Sequence, residues 1–214
     1  MIAFVDLDGT IIDSFRRHYV LLNNILIKYG FDGKFIYDDY YIKKVNGFNN
    51  FKYMTEVLNI SVEFANKIQK EWIEKIESKE MLILDKLYDD SIDFLEFLKS
   101  KDYKIIFLTA RNNKELTLFQ LKKLGLSKYP TKVIVVDPRN GIANKCTIID
   151  KEKNHNSIII GDTEIDYKSS VHCKIKSYIL NRGFRSIEFL NNIGVNKTYV
   201  DLYKVMEEID DKEL

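Results

Sequence analysis

Residues 2–5 form a short unbroken apolar run with β-branched residues at its ends, the pattern of a strand buried on both faces. Two acids, Asp6 and Asp8, follow one residue apart, and Gly9-Thr10 then turns the chain. From Phe15 the period lengthens. Phe15, Tyr19, Leu22, Ile25, Leu26 and Tyr29 fall on one helical stripe that Gly30 closes, with Asp13 or Ser14 as the N-cap. Further helices are expected over 37–45, 50–58 and 61–78. The last carries Val62, Ala65, Ile68, Trp72 and Ile76 on its inner stripe. No strand pattern occurs between Asp13 and about Met81. From about Leu84 helix and strand alternate. Helices are expected from Asp90-Ser91 with Ile92, Leu95 and Leu98 inward, over 113–124, 144–152 (capped by Asn144) and 164–173, near Ile187, and from Asp201. Strands are expected over 104–108, 133–136, 157–160 and 175–180, and near Tyr199.

Strands separated by helices imply right-handed crossovers and a parallel sheet covered on both faces. The expected fold class is therefore α/β, a doubly wound parallel sheet with an inserted all-helical cap domain. The sheet domain is discontinuous, 1–13 and 84–214, and the insertion spans 14–83 over its carboxyl edge. The hydrophobic share of 45% with 30% charged residues belongs to a folded chain. A formal net charge of +1, with lysines interspersed among acids, provides no field for a nucleic-acid polymer or an acidic membrane. No apolar run reaches membrane-spanning length. Cys146 and Cys173 lack zinc-site spacing and read as buried thiols in a reducing compartment, so a cytoplasmic protein is expected, as monomer or weak homodimer. The acidic end, 207–213, reads as a solvated helix end.

Three expected strands end in polar tips: Asp6-Leu7-Asp8, Thr109-Ala110-Arg111, and Gly161-Asp162-Thr163-Glu164-Ile165-Asp166. In a parallel sheet all three lie on one edge, where open α/β sheets bind ligands. Two carboxylates as close as 4 Å repel by about 4 kcal/mol at an effective dielectric of 20. A cation is expected beside them, and a hard divalent ion suits oxygen ligands.

The run Phe4-Val5-Asp6-Leu7-Asp8-Gly9-Thr10 resembles motif I of the haloacid-dehalogenase-like phosphohydrolases, and the later tips resemble motifs II and IV. The resemblance covers nearly the whole chain and implies a Mg2+-dependent phosphatase acting on a small phosphorylated metabolite. By it, Asp6 is the nucleophile that forms an aspartyl-phosphate, and Asp8 is the general acid/base that also offers its backbone carbonyl to the metal. Thr109 is the phosphoryl-binding hydroxyl with Ala110 beside it, Asp162 is the side-chain metal ligand, and Asp166 supports the metal waters or orients the lysine. Motif III is a lysine, assigned to Lys145, with Lys132 and Lys128 as competitors. Arg111 either contacts the substrate phosphate or pairs with an acid at the rim. Residues 162–184 and the position of the cap resemble the phosphoglycolate-phosphatase branch. In the cap, Gly47 within Val45-Asn46-Gly47-Phe48 falls at a substrate-specificity loop or at an interhelical turn. Arg16, with Arg17 and His18, opens the first cap helix as a substrate contact or as a solvated helix start. Sugar-phosphate mutase, nucleotide phosphatase and non-catalytic module are the alternatives. The cap is expected to hinge at 13–14 and at 80–86.

Overall fold

The computed structural model describes residues 1–31 and 35–211. Of the expected acidic helix end, residues 212–213 lie outside the described residues. The chain opens with β1 (Ile2–Val5) and a two-residue strand β2 (Ile12–Asp13). Five helices follow: α1 (Phe15–Lys28), α2 (Tyr37–Val45), α3 (Asn50–Glu56), α4 (Val62–Lys75) and α5 (Lys79–Leu82). Strand β3 (Lys86–Leu87) returns the chain, and the alternation begins: α6 (Ser91–Ser100), β4 (Lys104–Ala110), α7 (Lys114–Lys123), β5 (Lys132–Val136), α8 (Gly141–Glu152), β6 (Ser157–Gly161), α9 (Glu164–Cys173) and β7 (Lys176–Leu180). Helix α10 (Ile187–Asn192), strand β8 (Thr198–Tyr199) and α11 (Leu202–Asp210) complete it.

Six strands form one parallel sheet in the order β5-β4-β1-β6-β7-β8, with β1 at its centre. Side-chain alternation then divides the core in two. Ala3, Val5, Ile105, Phe107, Ile158 and Ile160 point to one face and pack with Phe94, Leu95 and Leu98 of α6 and Leu202 and Val205 of α11. Phe4, Ile106, Leu108 and Ile159 point to the other and pack with Cys146 and Ile149 of α8 and Cys173 of α9. A sheet buried on both faces must have its strands written as apolar runs, which is why β1, β4 and β6 were readable.

Helices α1–α5 have their own cluster, built on Leu22, Leu26, Tyr40, Tyr53, Met54, Ala65 and Ile68. Its aromatic share is organised by contacts such as the stacked Tyr19–Phe35 pair, with ring centroids 4.9 Å apart. Phe184, from the loop after β7, inserts into this cluster and ties the insertion to the sheet. The two crossings between them are paired to each other: β2 and β3 form an antiparallel ribbon, Ile12 opposite Leu87 and Asp13 opposite Lys86. That ribbon is too short to leave an alternating pattern, and the sequence reading missed it. Nor does α8 start at Asn144. A 3-10 turn at Pro138–Asn140 precedes it, and the Asn144 amide donates back to the Asp137 carbonyl, so Lys145 lies in the second turn. Among the described residues no helix is long and apolar enough to cross a membrane.

Insertion and sheet also meet through Glu77, a buried acid between α4 and α5. Its Oε1 accepts from the Asn112 backbone N–H at 2.7 Å, and its Oε2 from that of Asn113 at 2.8 Å. These are the orphan donors ahead of α7, satisfied across the seam. Glu77→Ala should therefore cost about 2–3 kcal/mol in urea unfolding, the value of hydrogen bonds to a charged group. A loss under about 0.5 kcal/mol would mean that this clasp contributes little.

Candidate active site

The three polar tips meet at the carboxyl edge. A cavity of about 250 Å³ is lined by Asp6, Asp8, Thr109, Ala110, Arg111 and Lys145 on the sheet side, and by Arg17, His18, Trp72 and Glu77 on the insertion side. A larger groove of about 670 Å³ runs along α8 and α9 from Pro138 to His172, but it contains none of the clustered acids.

Asp6 continues β1, its N–H bonded to the Ile160 carbonyl at 3.0 Å. By strand parity it shares the face of Phe4, the face covered by α8. That is how Lys145 of α8 reaches it: Nζ lies 3.1 Å from Asp6 Oδ1 and 2.6 Å from Asp166 Oδ1. Asp166 is fixed in turn by a capping box at the start of α9, where its Oδ2 accepts from the Thr163 N–H and hydroxyl. Asp162, fully buried, accepts from the Phe184 N–H at 2.6 Å. Gly9 has φ +75°, and a Cβ there would collide with the Asp162 carboxylate, so only glycine lets the motif I turn lie against this acid.

Carboxylate oxygens of Asp6, Asp162 and Asp166 all lie within 4.8 Å of one another. One lysine faces three acids, which leaves two negative charges if all are ionised. Burial, opposed by Lys145 and reinforced by Asp166 and Asp8, pushes the Asp6 carboxyl up to about 7. Burial and two acid neighbours, Asp6 and Asp166, raise Asp162 well above the usual carboxylate range. Beyond its ion-pair contact with Lys145, Asp6 Oδ1 has no hydrogen-bond partner. A divalent cation with oxygen ligands fits this charge deficit and this orphaned atom.

Asp8 faces the other way. Its Oδ1 accepts from Arg17 Nη2 at 2.5 Å and from Arg111 Nη2 at 2.9 Å, and its Oδ2 from Arg111 Nε at 2.7 Å. Burial alone would raise Asp8, but Arg111 and Arg17 outweigh it and hold the carboxyl well below its usual range. The acid cluster gathers the nucleophile, side-chain ligand and supporting acid of the expected set. Asp166 lies with Asp6 and Asp162, and the Asp8 carboxylate is engaged by two guanidiniums instead. Every nitrogen of both guanidiniums donates at least one hydrogen bond within the protein. Arg17 also bonds Asp85 and the Ile76 carbonyl, and Arg111 also bonds Gln120 at 2.7 Å.

Other expected residues fall elsewhere. Arg16 is exposed and does not line the cavity; the turn of α1 points Arg17 and His18 inward instead. Gly47, with φ +91°, lies against the Phe189 ring and lines a neighbouring cavity of about 310 Å³ with Lys44 and His18. Lys132 pairs with Glu152 and Lys128 with Glu96 on the surface, so neither competitor reaches Asp6. Trp72 and Glu77 were not expected at the site. Trp72 read only as one more member of an inner stripe, and the charge of Glu77 carried no pattern.

The raised carboxyls set a pH dependence. A group whose folded pKa lies above its unfolded value contributes stability that is lost as pH rises through the folded value. For Asp6 the window runs from the ordinary 3.8 to about 7. Asp8 is shifted the opposite way, so its contribution is present above 3.8 and falls away only below it. In chelator, the Tm of the protein should fall from about pH 4 to 7 relative to Asp6→Asn, by on the order of a few kcal/mol in stability. A divalent cation should flatten that difference; a Tm rising across the window relative to Asp6→Asn would refute it.

The whole fold has counterparts. A predicted phosphatase from Clostridium acetobutylicum superposes with a TM-score of 0.75 at 19% identity, covering 98% of each chain. A haloacid dehalogenase-like family hydrolase from Streptococcus pneumoniae gives 0.77 at 18%, covering 97% of each. A predicted phosphoglycolate phosphatase from Haemophilus somnus gives 0.72 at 11%, again covering 97% of each. At such identities the likeness establishes the fold. No curated protein matches the chain significantly. The family model described as haloacid dehalogenase-like hydrolase matches residues 2–180, from β1 with its motif I acids through β7, and the chain belongs to that family.

Proposed function

We propose that this protein is a phosphatase that hydrolyses a small phosphate monoester through an aspartyl-phosphate on Asp6. The observation that carries the reading is Asp6 itself, aimed into a 250 Å³ cavity with Lys145 Nζ 3.1 Å away and Asp162 and Asp166 beside it. Asp6, Asp162 and the Asp8 carbonyl would hold Mg2+, which supplies charge neutralisation for the transferring phosphoryl group. Lys145 keeps the Asp6 carboxylate oriented and offers its remaining N–H to a phosphoryl oxygen. Thr109, buried at the end of β4, presents its hydroxyl to the same group. Asp6 attacks phosphorus, and the P–O bond to the leaving group breaks. Asp8 then removes a proton from the water that cleaves the phosphoaspartate, a task for which its ionised state prepares it. To protonate the leaving oxygen in the first step, Asp8 must itself take up a proton, and that requires the Arg17 and Arg111 contacts to loosen. Because Arg17 belongs to the insertion, movement of the insertion over the site is coupled to the protonation of Asp8.

The size of the cavity supports a small substrate, since sites for drug-sized ligands occupy roughly 300–1,000 Å³. A phosphomutase reading is less well supported, because a bisphosphate needs a second set of uncommitted cations. The test is phosphate release from a panel of phosphorylated metabolites in Mg2+ and in chelator. Release that depends on the metal is expected; release of none, or release undiminished by chelator, refutes the reading.

A further inference from the structure

The insertion side of the cavity carries two orphaned polar atoms. His18 Nδ1 and Trp72 Nε1 are buried without a hydrogen-bond partner, and both side chains line the cavity. Apart from Asp6, they are the only such side chains on its wall among the described residues. They are placed together by the packing of α1 on α4, with the His18 ring 5.3 Å from Trp72 and 4.7 Å from Phe184. Buried donors and acceptors are ordinarily satisfied, and two unpaired ones on side chains that line one cavity point to a ligand that satisfies them.

The charged groups around them narrow the ligand. The charges of Arg17 and Arg111 are already offset by Asp8 and Asp85, and each of their nitrogens donates once, to Asp8, Asp85, Gln120 or the Ile76 carbonyl. Lys145 is held between Asp6 and Asp166, at the phosphoryl end. Glu77 adds a negative charge to the same wall. Lys44 lies in the neighbouring cavity, donating to Asn50 at 3.2 Å, and burial together with Arg185 lowers its ammonium to about 7. His18 is kept neutral, its pKa lowered by burial and by Lys44 and Arg17. A carboxylate or second phosphate entering here would be desolvated beside guanidiniums already paired with Asp8 and Asp85, and would face Glu77. A hydroxyl can accept from the indole N–H, and can donate to or accept from the imidazole nitrogen. The aromatic faces suit the C–H surface of a carbohydrate.

We propose that His18 and Trp72 form a subsite for an uncharged, hydroxyl-bearing leaving group, making the substrate a small polyol or sugar monophosphate and excluding esters that carry a carboxylate or second phosphate. This rests on the phosphatase reading and names the substrate class of the same site.

Two matched pairs of probes test it: glycerol 3-phosphate against 3-phosphoglycerate, and sorbitol 6-phosphate against 6-phosphogluconate. Each pair differs by a hydroxymethyl in place of a carboxylate. In one pair at least, kcat/KM should favour the neutral ester by about 100-fold or more, the discrimination expected when buried polar groups lose their partner or a charge goes unpaired. Trp72→Phe keeps a ring and deletes the N–H, and His18→Phe deletes both imidazole nitrogens. Each should lower the ratio of polyol phosphate to propyl phosphate turnover by about 10-fold, one lost hydrogen bond. Trp72 is the only tryptophan, so binding can be read without turnover. In Asp6→Asn protein with Mg2+, its fluorescence should saturate at lower concentrations of the neutral ester. Equal or better binding and turnover of the carboxylates, unchanged ratios in both variants, or no fluorescence response to any of the four esters would overturn the proposal. Failure of phosphate release from every ester would instead overturn the phosphatase reading, and the fluorescence titration would still decide the subsite.

Discussion

Asp6→Asn is expected to lower kcat by roughly ten-thousand-fold or more, the scale seen when the nucleophile of a covalent mechanism is removed. The replacement is nearly isosteric, and an amide oxygen can still face Lys145 while the amide nitrogen cannot attack phosphorus. It also removes a charge that is unfavourable without a cation, since burial and the Asp166 and Asp8 carboxylates raise the Asp6 pKa against the pull of Lys145. Metal-free Asp6→Asn should therefore unfold at a higher temperature than the parent at neutral pH while being inactive. Loss of activity together with gain of stability separates a chemical role from a packing role. Inactivity caused by misfolding would lower the Tm, and near-normal turnover would show that another group attacks phosphorus.

Asp8→Asn should act on two steps unequally. An aryl phosphate with a good leaving group needs little protonation, so phosphorylation of Asp6 proceeds. Hydrolysis of the phosphoaspartate still needs a base, and asparagine is none. One equivalent of aryl alcohol should then appear rapidly per enzyme, followed by turnover slowed by about 10^2- to 10^4-fold. An alkyl phosphate should show no burst, because both steps are impaired. Arg17 and Arg111 would lose their carboxylate partner, a change of the kind that costs 3–5 kcal/mol in a buried pair. Stability should thus fall where Asp6→Asn raises it. A full-rate steady state with the aryl ester would remove Asp8 from the second step.

The sheet was legible in the sequence because burial on both faces requires unbroken apolar runs, and β1, β4 and β6 are such runs. That Thr109 shares a cavity with Asp6, and that Asp162 clusters with Asp6, follows from topology, since parallel strands present their tips on one edge. What remained hidden depends on side-chain direction. The Asp8 carboxylate turns to Arg17 and Arg111, although strand alternation places it with Asp6. Arg16 and Arg17 are adjacent and chemically alike, and only the helical phase of α1 makes one exposed and the other a buried partner of three groups. Trp72 sat within an apolar stripe, where periodicity accounts for its ring and gives no information about its N–H. The two-residue strands β2 and β3 are shorter than any pattern a sequence can carry.

The central claim is that the strand tips form one phosphoryl-transfer site with Asp6 as its covalent centre. Rapid quench of the enzyme turning over an aryl phosphate with Mg2+, borohydride reduction of the acyl phosphate and peptide mass mapping test it directly. The modification should appear on Asp6, should build up further in Asp8→Asn, and should be absent in chelator. Modification at any other residue, or none while Asp8→Asn releases its burst, would contradict the account.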